Sequence, residues 1–179
     1  MGLFRKQAGG TGNWAPASRA KPRPGQESVW DYPRPPRLEP SKRLVRVYFA
    51  DTEIAFSNRA LRVLETAGPP TYYVPAEDVA TGLLVQAEGH TACEWKGLAA
   101  YSDIVVGERR AARAAWSYPH PNHDYAILAG YFSFYPGRVD NCYLDDELVT
   151  AQPGDFYGGW ITKDIVGPFK GDPSVPKNA

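Results

Sequence analysis

The feature that most constrains this chain is a series of short alternating runs, each stopped within ten residues by a turn signal. Leu44-Val-Arg-Val-Tyr-Phe49 and Glu53-Ile-Ala-Phe56 flank Ala50-Asp51-Thr52, and Ala60-Leu-Arg-Val-Leu-Glu65 follows. Alternation at period two, bounded by turn residues, is the pattern of half-buried strands joined as hairpins. Leu98–Val106, Tyr125–Tyr135, Val139–Leu144 and Glu147–Thr150 extend the series, with turns at Gly107-Glu108, Pro136-Gly137 and Asp145-Asp146. Composition agrees: 11 Tyr and 5 Trp against a single Met favour strands over a bundle of Leu- and Ala-rich helices. One helix start stands out, at Pro75, where proline precedes Glu77 and Asp78, acids suited to the positive end of a helix. The expectation is a mainly β, compact antiparallel domain with one short helix. Its 179 residues are enough for one self-sufficient core.

Organisation follows composition. Residues 1–26 carry five Lys/Arg, no acid and three prolines, too little apolar surface to offset the entropy of ordering, and read as a disordered basic arm. Residues 27–171 form the single β-rich domain, and 172–179 a polar tail. Within the domain, Trp30-Asp-Tyr32-Pro33-Arg-Pro-Pro36 reads as an extended strap whose aromatics pack on the body. Charge is split although the total is zero: residues 1–43 hold nine Lys/Arg against three acids, and residues 44–179 eleven against seventeen. A body this acidic lacks the clustered positive surface that nucleic acid requires. No apolar run is long enough to cross a membrane. The two cysteines, Cys93 and Cys142, fall in different strands with no secretory leader, which predicts a reduced, cytoplasmic protein.

Two stretches are dense in groups that do chemistry, Glu65-Thr-Ala-Gly-Pro-Pro-Thr-Tyr-Tyr73-Val-Pro75 and Cys93-Glu-Trp-Lys96-Gly97-Leu-Ala-Ala-Tyr101. Glu65 and Lys96 lie beside turn-forming Pro and Gly, so they are placed to converge across a sheet, either lining a pocket or as a structural ion pair. Cys93 beside Lys96 is a candidate nucleophile, its thiolate favoured by the ammonium, or else a small buried hydrophobe. His90-x-x-Cys93 and His120-x-x-His123 offer two ligand pairs at a spacing that suits tetrahedral zinc. Arg62 and Arg138 are candidate anion contacts, or solvated surface arginines. In Tyr131–Tyr135, Tyr131, Ser133 and Tyr135 share one strand face and Phe132 and Phe134 the other. Gly-x-Ser-x-Gly and the phosphate-cradling Gly-Lys-Ser/Thr loop are absent, and Gly9, Gly10 and Gly12 precede no strand-helix unit, which excludes the common hydrolase, P-loop and dinucleotide signatures.

The two stretches resemble domain-of-unknown-function family 427, whose pattern is met here by Glu65, Tyr73, Pro75, Cys93, Lys96, Gly97 and Tyr101. Glu94 stands where that pattern commonly has proline. The resemblance covers roughly Trp30 to Phe169 and implies a β-tent-like architecture. The family also carries a nucleotidyltransferase label, yet the chain lacks the Gly-Ser and paired Asp-x-Asp that such transferases use. The resulting expectation is a small-molecule cleft with Glu65 as acid or base, Lys96 as the anion or carbonyl contact, Cys93 near them, and Arg62, Tyr73, Tyr101, Trp116 and Tyr118 as ligand contacts. The alternative is a non-catalytic module that docks a protein partner through the Trp30–Pro36 strap. Cofactors are not specified by any of these residues.

Overall fold

A computed structural model describes residues 19–175. Fifteen strands follow in chain order: β1 (Glu27–Ser28), β2 (Arg37–Pro40), β3 (Val45–Phe49), β4 (Thr52–Ser57), β5 (Leu61–Leu64), β6 (Thr71–Pro75), β7 (Leu84–Cys93), β8 (Gly97–Val106) and β9 (Arg109–Ser117), then β10 (Tyr131–Phe134), β11 (Asn141–Leu144), β12 (Glu147–Leu148), β13 (Thr150–Ala151), β14 (Trp160–Ile161) and β15 (Ile165–Val166). The mainly β, antiparallel expectation holds. A seven-stranded sheet runs β2-β5-β6-β10-β9-β8-β7, and a four-stranded sheet runs β12-β11-β3-β4. Each neighbouring pair in both is antiparallel.

The β3–β4 hairpin forms where the alternation places it. Val45, Val47 and Phe49 are buried on one face, and Ala50 and Asp51 both take positive φ (50° and 56°), the geometry of a two-residue turn that matches strand twist. Asp140 Oδ2 accepts the Ala50 N–H at 2.7 Å and holds that turn. Between the two sheets lies the main core, in which Val45, Val47 and Ile54 of the small sheet meet Tyr72, Val74, Ile104 and Phe134 of the large one, with Trp160 at its end. The opposite face of the large sheet carries a second cluster of Leu61, Val63, Tyr73, Tyr101, Trp116, Tyr118 and Tyr135. Phe132 and Phe134 thus belong to one cluster and Tyr131 and Tyr135 to the other, as the alternation requires.

Three segments differ from their expected form. The helix start at Pro75 yields a 3-10 turn, Ala76–Asp78, and a second one, Thr81–Leu83. Between them Val79 bridges to Ala55 and the Ala80 N–H bonds to the Ile54 carbonyl, so β4 claims the backbone groups a longer helix would use. The expected strand Tyr125–Tyr135 begins instead as a 3-10 segment, His123–Leu128, and only β10 is extended. Glu147–Thr150 divides between β12 and β13.

The strap packs as expected. β1 pairs in parallel with β15, Trp30 Nε1 donates to the Pro168 carbonyl at 2.8 Å, and Val29, Trp30 and Tyr32 form a third cluster with Leu64, Ala67 and Ile165. Most of the basic arm falls in residues 1–18, outside the described residues. Its last part touches the body, with the Ala20 N–H on the Gly167 carbonyl and Gln26 Nε2 on the Lys163 carbonyl. In the tail, Val175 is buried in the strap cluster, while residues 176–179 also lie outside the described set.

Candidate functional site

Glu65 leaves the end of β5 at a turn fixed by the strap. Thr66 Oγ1 donates to the Tyr32 carbonyl at 2.6 Å, and the Ala67 N–H bonds to the Val29 carbonyl at 3.0 Å. Lys96 sits in the tight connection between β7 and β8. There the Lys96 N–H reaches Cys93 Sγ at 3.5 Å, and the Asn122 N–H caps the Lys96 carbonyl at 3.0 Å. Gly97 has φ of 103°, and a Cβ there would stand 3.3 Å from the His120 carbonyl oxygen. The Lys-Gly pair is therefore a positional necessity: glycine permits the turn that aims the lysine inward.

The two turns face each other across a cavity of about 220 Å³ on the second-cluster side of the large sheet. Lys96 is 7% exposed, and its Nζ lies 3.8 Å from Glu65 Oε2 and 6.0 Å from the centre of the Tyr118 ring. Lys96 and Glu65 thus meet as a pair on the lining of one cavity. Burial pulls the Lys96 ammonium down, but Tyr73, Cys93 and Glu65 around it outweigh that and leave it above the ordinary lysine value. Burial pushes the Tyr73 hydroxyl up.

The walls are aromatic. Tyr73 from β6 is buried, and its hydroxyl accepts the Trp116 Nε1–H at 3.1 Å. Its ring meets Trp116 edge to face at 6.0 Å, and Trp116 lies 4.5 Å from the Tyr135 ring. Tyr101 shares a 2.7 Å hydrogen bond with Thr91. Burial also pushes the Tyr118 and Tyr135 hydroxyls up, so these phenols stay neutral donors. Across the mouth runs residues 153–159, with Tyr135 Oη donating to the Phe156 carbonyl at 3.2 Å and Arg138 Nη2 to the Asp155 carbonyl at 2.6 Å. Gln152 Nε2 ties this segment to the Lys170 carbonyl at 2.7 Å.

Of the expected site residues, Glu65, Tyr73, Cys93, Lys96, Tyr101, Trp116 and Tyr118 all line this cavity. Arg62 does not, and is corrected: it points from the other face of β5 to Glu27, at 3.0 Å, and to Glu39. Arg138 is also no cavity contact; it stacks 4.1 Å over Tyr135 and braces the loop. The zinc set separates as well. Residues three apart on a strand face opposite ways, so His90 lies over a groove on the far side of the sheet, bordered by Leu98 and His120. Cys93, opposite the side-chain-free Gly97, borders both sides. His123 is exposed beside Asp124 at 3.2 Å. Among the described residues no three His, Cys, Asp or Glu gather to hold a metal. Missed by the sequence reading are Thr91, Gln152 and Lys170, the last two from irregular segments with no period to betray them.

The family model described as a domain of unknown function, DUF427, and labelled NTP_transf_9, matches residues 37–145. The chain belongs to the DUF427 family. The match takes in both turns that carry the Glu65–Lys96 pair, while Gln152, Tyr157 and Lys170 lie beyond it. The DUF427 region therefore contributes the floor of the cavity, and the carboxyl-terminal segment its mouth. Comparison with curated proteins gives no match. No helix among the described residues is long and apolar enough to cross a membrane.

Proposed function

We propose that this DUF427 domain binds a small molecule in the aromatic cavity, with Lys96 as its polar anchor and Glu65 as the acid or base beside it. One observation carries the reading: a buried ammonium at the floor of a concave, mostly apolar site whose nearest carboxylate oxygen is 3.8 Å away, beyond hydrogen-bond reach. Small-molecule sites are concave and apolar with a few convergent polar groups, and a charge taken out of water needs partners that make good its lost hydration. Glu65, one-third exposed, reaches both the ammonium and solvent, which suits proton exchange with a bound ligand. Cys93 at the same floor is a second reactive group, its Sγ held by the Lys96 N–H.

The partner-docking alternative draws less support, because Trp30 and Tyr32 of the strap are buried in the molecule's own third cluster. The nucleotidyltransferase label draws none from the cavity, whose lining includes one carboxylate, Glu65, and no pair able to hold a metal with a triphosphate. The test is native mass spectrometry of protein purified without added ligand, repeated after mild denaturation, alongside a thermal-shift screen of small metabolites. A retained organic mass, or a melting shift lost in Lys96→Met, supports the cavity reading. A bare mass with no shift from any compound overturns it.

A further inference from the structure

The charge and donor inventory of the cavity points to the kind of molecule it takes. Its charged lining is Lys96, Lys170 and Glu65, two cations against one anion. Glu65 is also shared outward, with Arg34 Nη2 4.0 Å from its Oε1. The Lys96 ammonium has three protons to donate; around it Tyr73 accepts from Trp116, Tyr101 is bonded to Thr91 and Tyr135 donates to the Phe156 carbonyl. What the floor lacks is an acceptor-rich group. Aromatic walls also suit cations, but a cationic ligand would sit against the buried Lys96 ammonium, where like charges at low dielectric repel strongly. A neutral amine at Lys96, as Schiff-base chemistry with a carbonyl needs, is opposed by the surroundings that keep it protonated. Size narrows the choice further. At roughly 30 Å³ per water in the liquid, a cavity of about 220 Å³ holds one ring and a substituent, and its flat walls, Trp116, Tyr118 and Tyr135, favour a planar body.

We propose that the cavity is a binding site for a single-ring aromatic carboxylic acid held as its anion, with the carboxylate on Lys96, the ring against Trp116 and Tyr118, and Lys170 supplying a second positive charge at the mouth. This rests on the small-molecule reading above and adds the chemical class to it.

Three single-ring probes of similar size decide it: benzoate, benzamide and benzylamine, titrated into the protein by isothermal titration calorimetry at fixed salt. Benzoate binds at least tenfold more tightly than benzamide, and benzylamine more weakly than either. Lys96→Met abolishes the benzoate preference and Lys96→Arg retains most of it, with far-ultraviolet circular dichroism confirming that both fold. Lys170→Met, at the rim, weakens benzoate severalfold and leaves benzamide unchanged, which keeps the test open even if a floor variant fails to fold. Equal binding of benzoate and benzamide, tightest binding of benzylamine, a benzoate preference that survives Lys96→Met, or no binding of any probe overturns the assignment. If it falls while native mass spectrometry recovers a neutral or cationic molecule, the cavity reading still stands; if the mass is also bare, both fall.

Discussion

At the scale of single residues, Lys96 decides how the site is balanced. Burial costs its ammonium hydration, and Tyr73, Cys93 and Glu65 around it outweigh that cost. Lys96→Met leaves Glu65 without the ammonium, but Glu65 is one-third exposed and keeps Arg34 4.0 Å away, and an ion pair with one end in water is worth about 0–1 kcal/mol. The variant is therefore expected to unfold within about 1 kcal/mol of the wild type in urea, whereas a fully buried structural pair would lose about 3–5 kcal/mol. Tyr73→Phe makes the contrasting case. It strands the Trp116 Nε1–H in a buried site, a loss of about 1–3 kcal/mol, read as a lower urea midpoint at unchanged slope. The sequence announced these residues because the chemistry-bearing side chains sit beside the Pro and Gly that shape their turns. Arg62 carried no comparable signal: one position from Val63 on β5, it falls on the opposite face and belongs to Glu27 and Glu39. The zinc set is not gathered either: His123 stands exposed beside Asp124, and among the described residues no three His, Cys, Asp or Glu meet.

At the scale of elements, legibility tracks amphipathic pattern. β3, β4, β5 and β8 alternate or run apolar between clear turns and were readable. β9 reads Arg-Arg-Ala-Ala-Arg-Ala-Ala-Trp-Ser, helix-favouring in composition, and becomes a strand only because β8 and β10 flank it. β7 is an edge strand, largely exposed, with little apolar period to show. The loop over the cavity is the element with the most to test. Gly158 packs flat on the Trp116 ring, where a Cβ would overlap Cη2, and Gly159 similarly meets Gln152 and Pro69. Gly158→Ala must displace either the loop or the indole, an overpacking cost of about 1–3 kcal/mol. Thermal denaturation should show that loss, and because the displaced groups are the cavity wall and its cover, the affinity for any cavity ligand should fall further than stability does. Loss of stability with affinity intact would mean that the loop only covers the core.

At the scale of the whole molecule, the sheet order was not readable, because the deciding pairings are distant in sequence: β6 with β10, and β3 with β11. Charged side chains tie those distant parts together, and they set how stability depends on pH. Arg62 joins the strap to β5 through Glu27, Arg43 joins β3's approach to Asp145 and Asp164, Arg59 holds Asp78, and Arg109 holds Asp140. Burial pushes the Glu27 carboxyl up, but its bonds from Arg62 and Tyr32 prevail and hold it below its ordinary 4.5. Asp78 and Asp140 are held below 3.8 chiefly by their arginines, and Asp145 chiefly by the Leu44 N–H. A carboxylate depressed in the folded state contributes stability that is complete above its unfolded value and is lost as pH falls through the folded one. The urea midpoint should therefore stay level from neutrality down to about pH 5 and fall below it. Glu27→Gln should lower the midpoint at pH 7 by removing the charge on Arg62, yet shrink the drop between pH 7 and pH 3, because one of the titrating groups is gone. If the variant's midpoint falls in parallel with the wild type across that range, the strap's ion pair is not among the groups that acid undoes, and the docking of β1 on β15 rests on its apolar cluster alone.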